Sequence, residues 1–265
     1  VSVLVLVVVG VLTGLTTVLF GFGGGFVTVP AIVWVDAAAG REAAIVAVAT
    51  SSVVMVVNAV AAAVATPSGV LRQLRGSGPL LLLLGVGGLG GALAATSAPS
   101  RLIHWGFATY LTITLVDMLA RPGFLRPHTS VAERSSVAIP VALGVPIGAV
   151  ASFLGVGGSV MTVPLLRRSG LAMGTAAALA NPLTACISIP ACAAFLTIGR
   201  SASNESMLLA AGTVDLGAAA LLLLGALPVV TLLRRRPPQI PDRLHAWGYV
   251  ALLLLVLGTT LIQTS

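Results

Sequence analysis

The feature that most constrains this chain is a glycine-rich string that occurs twice. Gly21-Phe22-Gly23-Gly24-Gly25-Phe26-Val27-Thr28-Val29-Pro30 returns 134 positions later as Gly155-Val156-Gly157-Gly158-Ser159-Val160-Met161-Thr162-Val163-Pro164. Each copy follows an apolar run and leads into a shorter apolar stretch that ends in charge. A glycine cluster inside a hydrophobic segment interrupts a helix, because glycine weakens a helix interior and turns readily through φ > 0. In a bilayer, such irregular backbone is tolerated only where protein buries it or where it lines a cavity. Two interruptions in one chain therefore predict a pair of broken helices that meet at a shared site.

The bilayer setting follows from composition. Hydrophobic residues make up 57% of the 265 residues and charged residues 8%, against roughly 25% charged in a soluble domain. The apolar residues fall in separate runs of about 20, the length a helix needs to cross the hydrocarbon core. The predicted fold class is an all-α polytopic membrane protein. The net charge of +7 comes from fourteen arginines and no lysine. It is read as loop charge that sets topology, since no basic stretch carries the interleaved aromatics of a nucleic-acid surface. Cys186 and Cys192 lie six apart in one predicted helix, on different faces, so neither a disulfide nor a metal pair is expected. No cofactor motif is present: no Gly-Lys-Ser/Thr follows either glycine string, and the dinucleotide fingerprint needs a strand–helix setting. Residues 1–20 lack the basic leader region of a signal peptide and are read as part of the fold. The chain opens on Val rather than Met, which leaves room for a short leader ahead of it.

More than the glycine string repeats. Gly91-Ala92-Leu93 matches Gly225-Ala226-Leu227, and Arg101-Leu102-Ile103-His104-Trp105-Gly106 matches Arg243-Leu244-His245-Ala246-Trp247-Gly248. Ser51 and Asn58 correspond to Asn181 and Ser188 in the helices after the two strings. Matches in the same order imply duplication. The halves are residues 1–120 and 135–265, joined by the polar connector 121–134, and together they form one integral membrane domain. Arginine placement orients them, because cytoplasmic loops are enriched in Lys and Arg. If each glycine-interrupted segment crosses once, the arginines divide six to eight and show no bias. If each is a re-entrant hairpin, Arg41, Arg101 and Arg200 share one side and the other eleven share the opposite side. The hairpin arrangement leaves three full crossings per half, so the halves are inverted, both termini lie outside the cytoplasm, and the first arm of each hairpin runs near 20 residues.

The glycine tips then have a chemistry. The first N–H groups of each half-helix after the turn lack intrahelical partners and carry the positive end of the helix dipole. That makes an anion site, and two inverted hairpins bring two such ends together near the midplane, as in many secondary transporters. Packing between helices is the alternative use of the tip glycines. For Gly85, Gly87, Gly88, Gly90 and Gly91 packing is the preferred reading. The candidate substrate residues are Gly23, Gly24, Gly25, Phe26 and Thr28 at the first tip and Gly157, Gly158, Ser159 and Thr162 at the second. Ser51 and Asn58 share one helix face, as do Asn181, Thr184 and Ser188, and these either add neutral hydrogen-bonding groups to the site or make ordinary interhelical hydrogen bonds. Asp215, placed about ten residues into an apolar span over 206–233, is the proton-coupling candidate, because an ionisable group at that depth is a functional hypothesis by default. Pairing with a helix terminus is its structural alternative. Asp117 is read as an i,i+4 partner of Arg121, and Trp105 and Trp247 as interface anchors.

The paired motifs Gly21–Pro30 and Gly155–Pro164, with the polar helices after them, resemble the TauE/SafE family of bacterial membrane permeases, often called sulfite exporters. The resemblance spans essentially the whole chain. It implies transport of sulfur-containing anions such as sulfite, sulfonates and sulfoacetate. Where many relatives carry Gly-Thr-Ser after each hairpin, this chain reads Ala49-Thr50-Ser51 and Ala180-Asn181-Pro182. The expected function is a secondary transporter of a small anion working by alternating access, with the lipid bilayer and the anion as its partners. An anion channel is the alternative, and a membrane-embedded enzyme is disfavoured, since no Ser/His/Asp or His/Cys cluster falls at membrane depth.

Overall fold

The computed structural model describes residues 3–35, 43–125, 139–198, 209–235 and 238–264. The first half contains α1 (Val3–Phe20), α2 (Gly25–Val35), α3 (Ala43–Val64), the one-turn α4 (Ser68–Leu71), α5 (Gly78–Ser97) and α6 (Ser100–Ala120). The second contains α7 (Gly144–Phe153), α8 (Ser159–Arg168), α9 (Met173–Thr197), α10 (Leu216–Arg235) and α11 (Asp242–Thr264). A two-residue β-pair, β1 (Ala210–Ala211) with β2 (Val214–Asp215), precedes α10. Seven helices, α1, α3, α5, α6, α9, α10 and α11, are long and apolar enough to cross a bilayer. Their outer faces carry large exposed apolar side chains such as Leu4, Val64, Leu82, Leu224 and Ile262, a surface that suits lipid and not water. The chain is an all-α polytopic membrane protein.

Both glycine strings break a helix as predicted, but the hairpins differ. The first arm α1 has 18 residues, about 27 Å at 1.5 Å per residue. The expected long first arm is absent from the second hairpin: α7 has 10 residues and α8 has 10, each about 15 Å. A 3₁₀ turn over Val141–Leu143 follows Pro140, and helix proper starts only at Gly144. The apolar run before the second string is thus longer than the helix it forms.

Packing between the halves is reciprocal. α1 lies along α10, and its counterpart α7 lies along α5; α3 packs on α10 as α9 packs on α5; α3 meets α9, and α6 meets α11. Each first hairpin arm therefore rests on a helix of the other half. Glycines make these contacts possible. A Cβ on Gly87 would overlap the Val145 carbonyl oxygen, and one on Gly225 would overlap that of Val7. Gly148 meets the Leu84 carbonyl oxygen and Gly10 that of Leu222 in the same way. Of the α5 glycines read as packing residues, Gly85, Gly87, Gly88 and Gly91 have close neighbours, whereas Gly90 faces open space.

Asp215 does not lie within a span. The helix starts at Leu216, and Asp215 stands just before it. Its Oδ1 accepts the N–H groups of Gly217 (2.9 Å), Ala218 (3.0 Å) and Leu209 (3.3 Å), which makes it the N-cap of α10. Its own N–H donates to Thr50 Oγ1 at 3.0 Å. Continuous hydropathy hid the turn at Gly212, whose φ is +60°. Asp117 does pair with Arg121, at 3.2 Å, and also with Arg168, at 2.6 Å. Trp105 and Trp247 are exposed. Residues 126–134 of the connector, with Arg41 and Arg200 among the arginines used for orientation, lie outside the described residues.

Candidate functional site

The two tips are built by helix ends. At the first, Gly21, at φ +76°, donates its N–H to the Thr17 carbonyl (3.1 Å) and closes α1 with a left-handed cap. At the second, Gly155, at φ +67°, donates to Ser152 O (3.2 Å) while Val156 donates to Ala151 O (3.0 Å). That pair of bonds is a Schellman cap on α7. Four residues after each of these glycines the chain starts a new helix, α2 at Gly25 and α8 at Ser159. Each new helix presents its first N–H groups and its positive dipole end at the tip.

The tips touch each other. A Cβ on Gly25 would overlap the Gly155 carbonyl oxygen and the Met55 sulfur. Ser51 bridges α3 to the second tip, its Oγ 2.7 Å from Val48 O and 3.2 Å from Gly155 O. Thr184 and Met55 stand between the strings. A Cβ on Gly23 would come within 2.8 Å of Thr184 Cγ2, and one on Gly157 within 3.1 Å of both Thr184 Cγ2 and Met55 Sδ. Gly24, at φ +106°, faces Thr13 Cγ2 at 2.5 Å and Asn58 Nδ2 at 3.0 Å on the same construction. Aromatic rings wall one side: Phe22 stacks on Phe26 at 4.6 Å and lies 4.9 Å from Tyr249, whose hydroxyl donates to Ser159 O at 3.2 Å.

Buried polar atoms normally have partners, and one left without costs about 1–3 kcal/mol. Around these tips several lack any protein partner: both amide atoms of Asn58, the hydroxyls of Thr184, Ser159 and Thr162, and Asn181 Oδ1. All five residues are 0% exposed. A site with neutral donors and two positive helix ends, closed off from solvent, is built to receive something that accepts hydrogen bonds.

The predicted residues divide accordingly. Gly23, Gly24, Gly25, Gly157, Asn58, Thr184 and Ser51 come together at the tips, and Ser159 opens α8 there. Thr28 turns back on its own helix, its Oγ1 donating to Gly24 O at 2.8 Å with Thr13 Oγ1 3.4 Å away. Phe26 contributes a ring wall. Asn181 Nδ2 donates to Ala177 O at 3.1 Å, and Ser188 Oγ reaches only Ala185 O at 3.5 Å. Gly158 packs against Ile187. Sequence reasoning missed Met55, Thr13 and Tyr249. Met55 was within reach, since it falls between Ser51 and Asn58 on one helix face. The other two come from distant segments and carry no local signal. Asn58→Leu removes an orphaned buried amide, so anion binding is expected to fall by about tenfold or more while the ligand-free protein melts no lower than wild type; calorimetric titration and thermal melts check both halves of that outcome.

Seven bilayer-length helices, with the glycine breaks between α1 and α2 and between α7 and α8 in mutual contact, define a polytopic membrane protein. A family model described as Sulfite exporter TauE/SafE matches residues 6–260, and the chain belongs to that family. Its members are membrane transporters of sulfite-type anions. No curated protein and no solved structure matches the chain.

Proposed function

We propose that this chain is a secondary transporter of a small, sulfur-containing anion, of the sulfite, sulfonate or sulfoacetate type. The carrying observation is the cluster of buried, unpartnered polar atoms where the N-termini of α2 and α8 meet. Residues 1–120 and 135–265 are the two halves, inverted in the bacterial inner membrane with both termini periplasmic. The reciprocal seating of α1 on α10 and α7 on α5 supports a mechanism in which the halves rock around a fixed anion and open it to one side at a time. Complete burial of the site favours alternating access over a channel, which needs a continuous path.

Binding of purified protein to sulfite, methanesulfonate, sulfoacetate and carboxylates, followed by uptake into proteoliposomes, tests this. Saturable uptake with counterflow is expected; single-channel currents would replace the transporter with a channel. Asp215 is the candidate for coupling to protons, but its Oδ1 already serves three backbone N–H groups. Asparagine keeps a cap acceptor, so Asp215→Asn is expected to fold and to retain the pH-gradient dependence of sulfite uptake. Loss of that dependence in a folded variant would assign the coupling proton to this carboxylate.

A further inference from the structure

We infer that the tip site accepts singly charged oxyanions and rejects doubly charged ones, a selection by charge state that rests on the anion-transport reading above. The positive charge available is small. Each half-helix N-terminus supplies about half an elementary charge, so two supply roughly one. Among the described residues, the side chains nearest the tip glycines are uncharged, Thr13, Ser51, Met55, Asn58, Thr184 and Ile187 among them. Arg167 shares a helix with the second tip but lies at its far end, about 12 Å from Ser159 by helical rise. Its guanidinium is committed to Asp242 and to the Phe124 and Leu171 carbonyls.

The opposing terms all cut against a second negative charge. The first arms bring their negative ends to the same tips. Caps take up some of those carbonyls, and His245 Nε2 lies 2.6 Å from Leu19 O, but none of this adds net positive charge. The site is closed to water, so an uncompensated charge is not screened and its desolvation costs several kcal/mol. One charge is matched by the two helix ends, and a second is not.

The neutral groups match the same ligand. Asn58 Nδ2 and the Thr184, Ser159 and Thr162 hydroxyls are donors without acceptors, suited to the oxygen face of a sulfonate or of hydrogen sulfite. The consequence for sulfite is that its proton travels with it. Sulfite flux then depends on a pH gradient with no side chain titrating, whereas flux of methanesulfonate, a monoanion at every working pH, does not.

The test is a titration of the purified full chain with methanesulfonate, sulfate and sulfite, from well below to well above the second ionisation of sulfite. Methanesulfonate affinity is expected to stay flat and sulfate binding to be undetectable. Sulfite affinity is expected to weaken about tenfold per pH unit once the dianion predominates. Sulfate binding within tenfold of methanesulfonate, or sulfite binding that tightens with rising pH, would overturn charge selection and leave the transporter standing. Failure of every anion to bind overturns both. Met55→Lys, which puts a cation between the tips, is expected to confer sulfate binding; a folded Met55→Lys protein that still excludes sulfate counts against the inference. If that variant does not fold, the wild-type pH series decides alone.

Discussion

Gly25→Ala is expected to abolish anion binding and to lower the melting temperature, although alanine is the better helix former by roughly 1 kcal/mol. Gly25 is the first residue of α2 and is absent from the glycines with positive φ, so its backbone places no special demand on residue type. The demand comes from across the site. An added methyl group overlaps the carbonyl oxygen of Gly155, which is backbone of the opposite tip, and the sulfur of Met55, which is the far end of a flexible side chain. Met55 can swing aside; the Gly155 carbonyl moves only with its Schellman-capped turn. Overpacking of this kind costs about 1–3 kcal/mol, and here the strain forces the two positive ends apart. Met55→Ala in the same background removes only one of the two overlaps and is expected not to restore binding. Gly90→Ala is the matched control, since nothing lies within 4 Å of a Cβ there, and it should bind normally and melt at or above wild type. Normal methanesulfonate or sulfite affinity in Gly25→Ala would mean that the tips need not touch to hold the anion.

The glycine strings themselves were legible because the physics acting on them is local: glycine breaks an apolar helix wherever it clusters. The helix breaks and the start of each half-helix followed directly. Bilayer-length helices were legible for the same reason, as apolar runs of the right length. What the sequence obscured was set by longer-range contacts or by uniform hydropathy. The apolar run before Gly155 gave no hint that α7 would begin only at Gly144, and the run through Ala210–Leu216 hid a β-turn and a capping aspartate. In the second case a signal existed, since Asp215 followed by an apolar helical stretch is an N-cap pattern. Asn58 and Thr184 were placed beside the tips from helical faces alone, while the Thr28 hydroxyl is taken up by its own helix one turn back.

Arg167 was treated in the sequence only as topological charge, yet its ion pair joins a fully buried cation to a part-exposed carboxylate. Its side chain is 0% exposed while that of Asp242 is 39% exposed, with Nη1 2.8 Å from Oδ2. The guanidinium also donates to Phe124 O at 2.8 Å and Leu171 O at 3.2 Å, and Asp242 Oδ1 accepts the Met173 N–H at 2.6 Å. One node thus fastens the end of α8 to the starts of α9 and α11 and to the segment after α6. The partners are not equivalent, because removing one leaves the other in a different medium. Asp242→Ala strands a cation with no access to water, which costs about 3–5 kcal/mol, and leaves the Met173 N–H without its acceptor, about 1–3 kcal/mol more. Arg167→Met strands a carboxylate that water reaches and that still accepts from Met173; its main cost is two carbonyls left short of a donor, about 1–3 kcal/mol each where burial is complete. Asp242→Ala is therefore expected to melt lower than Arg167→Met in the same detergent. The double variant Arg167→Met/Asp242→Ala is expected to melt higher than Asp242→Ala alone, since the second change removes the stranded charge. Additive losses in that cycle would mean that the guanidinium finds water when Asp242 is gone, and that the base of the second hairpin is more open than its packing implies.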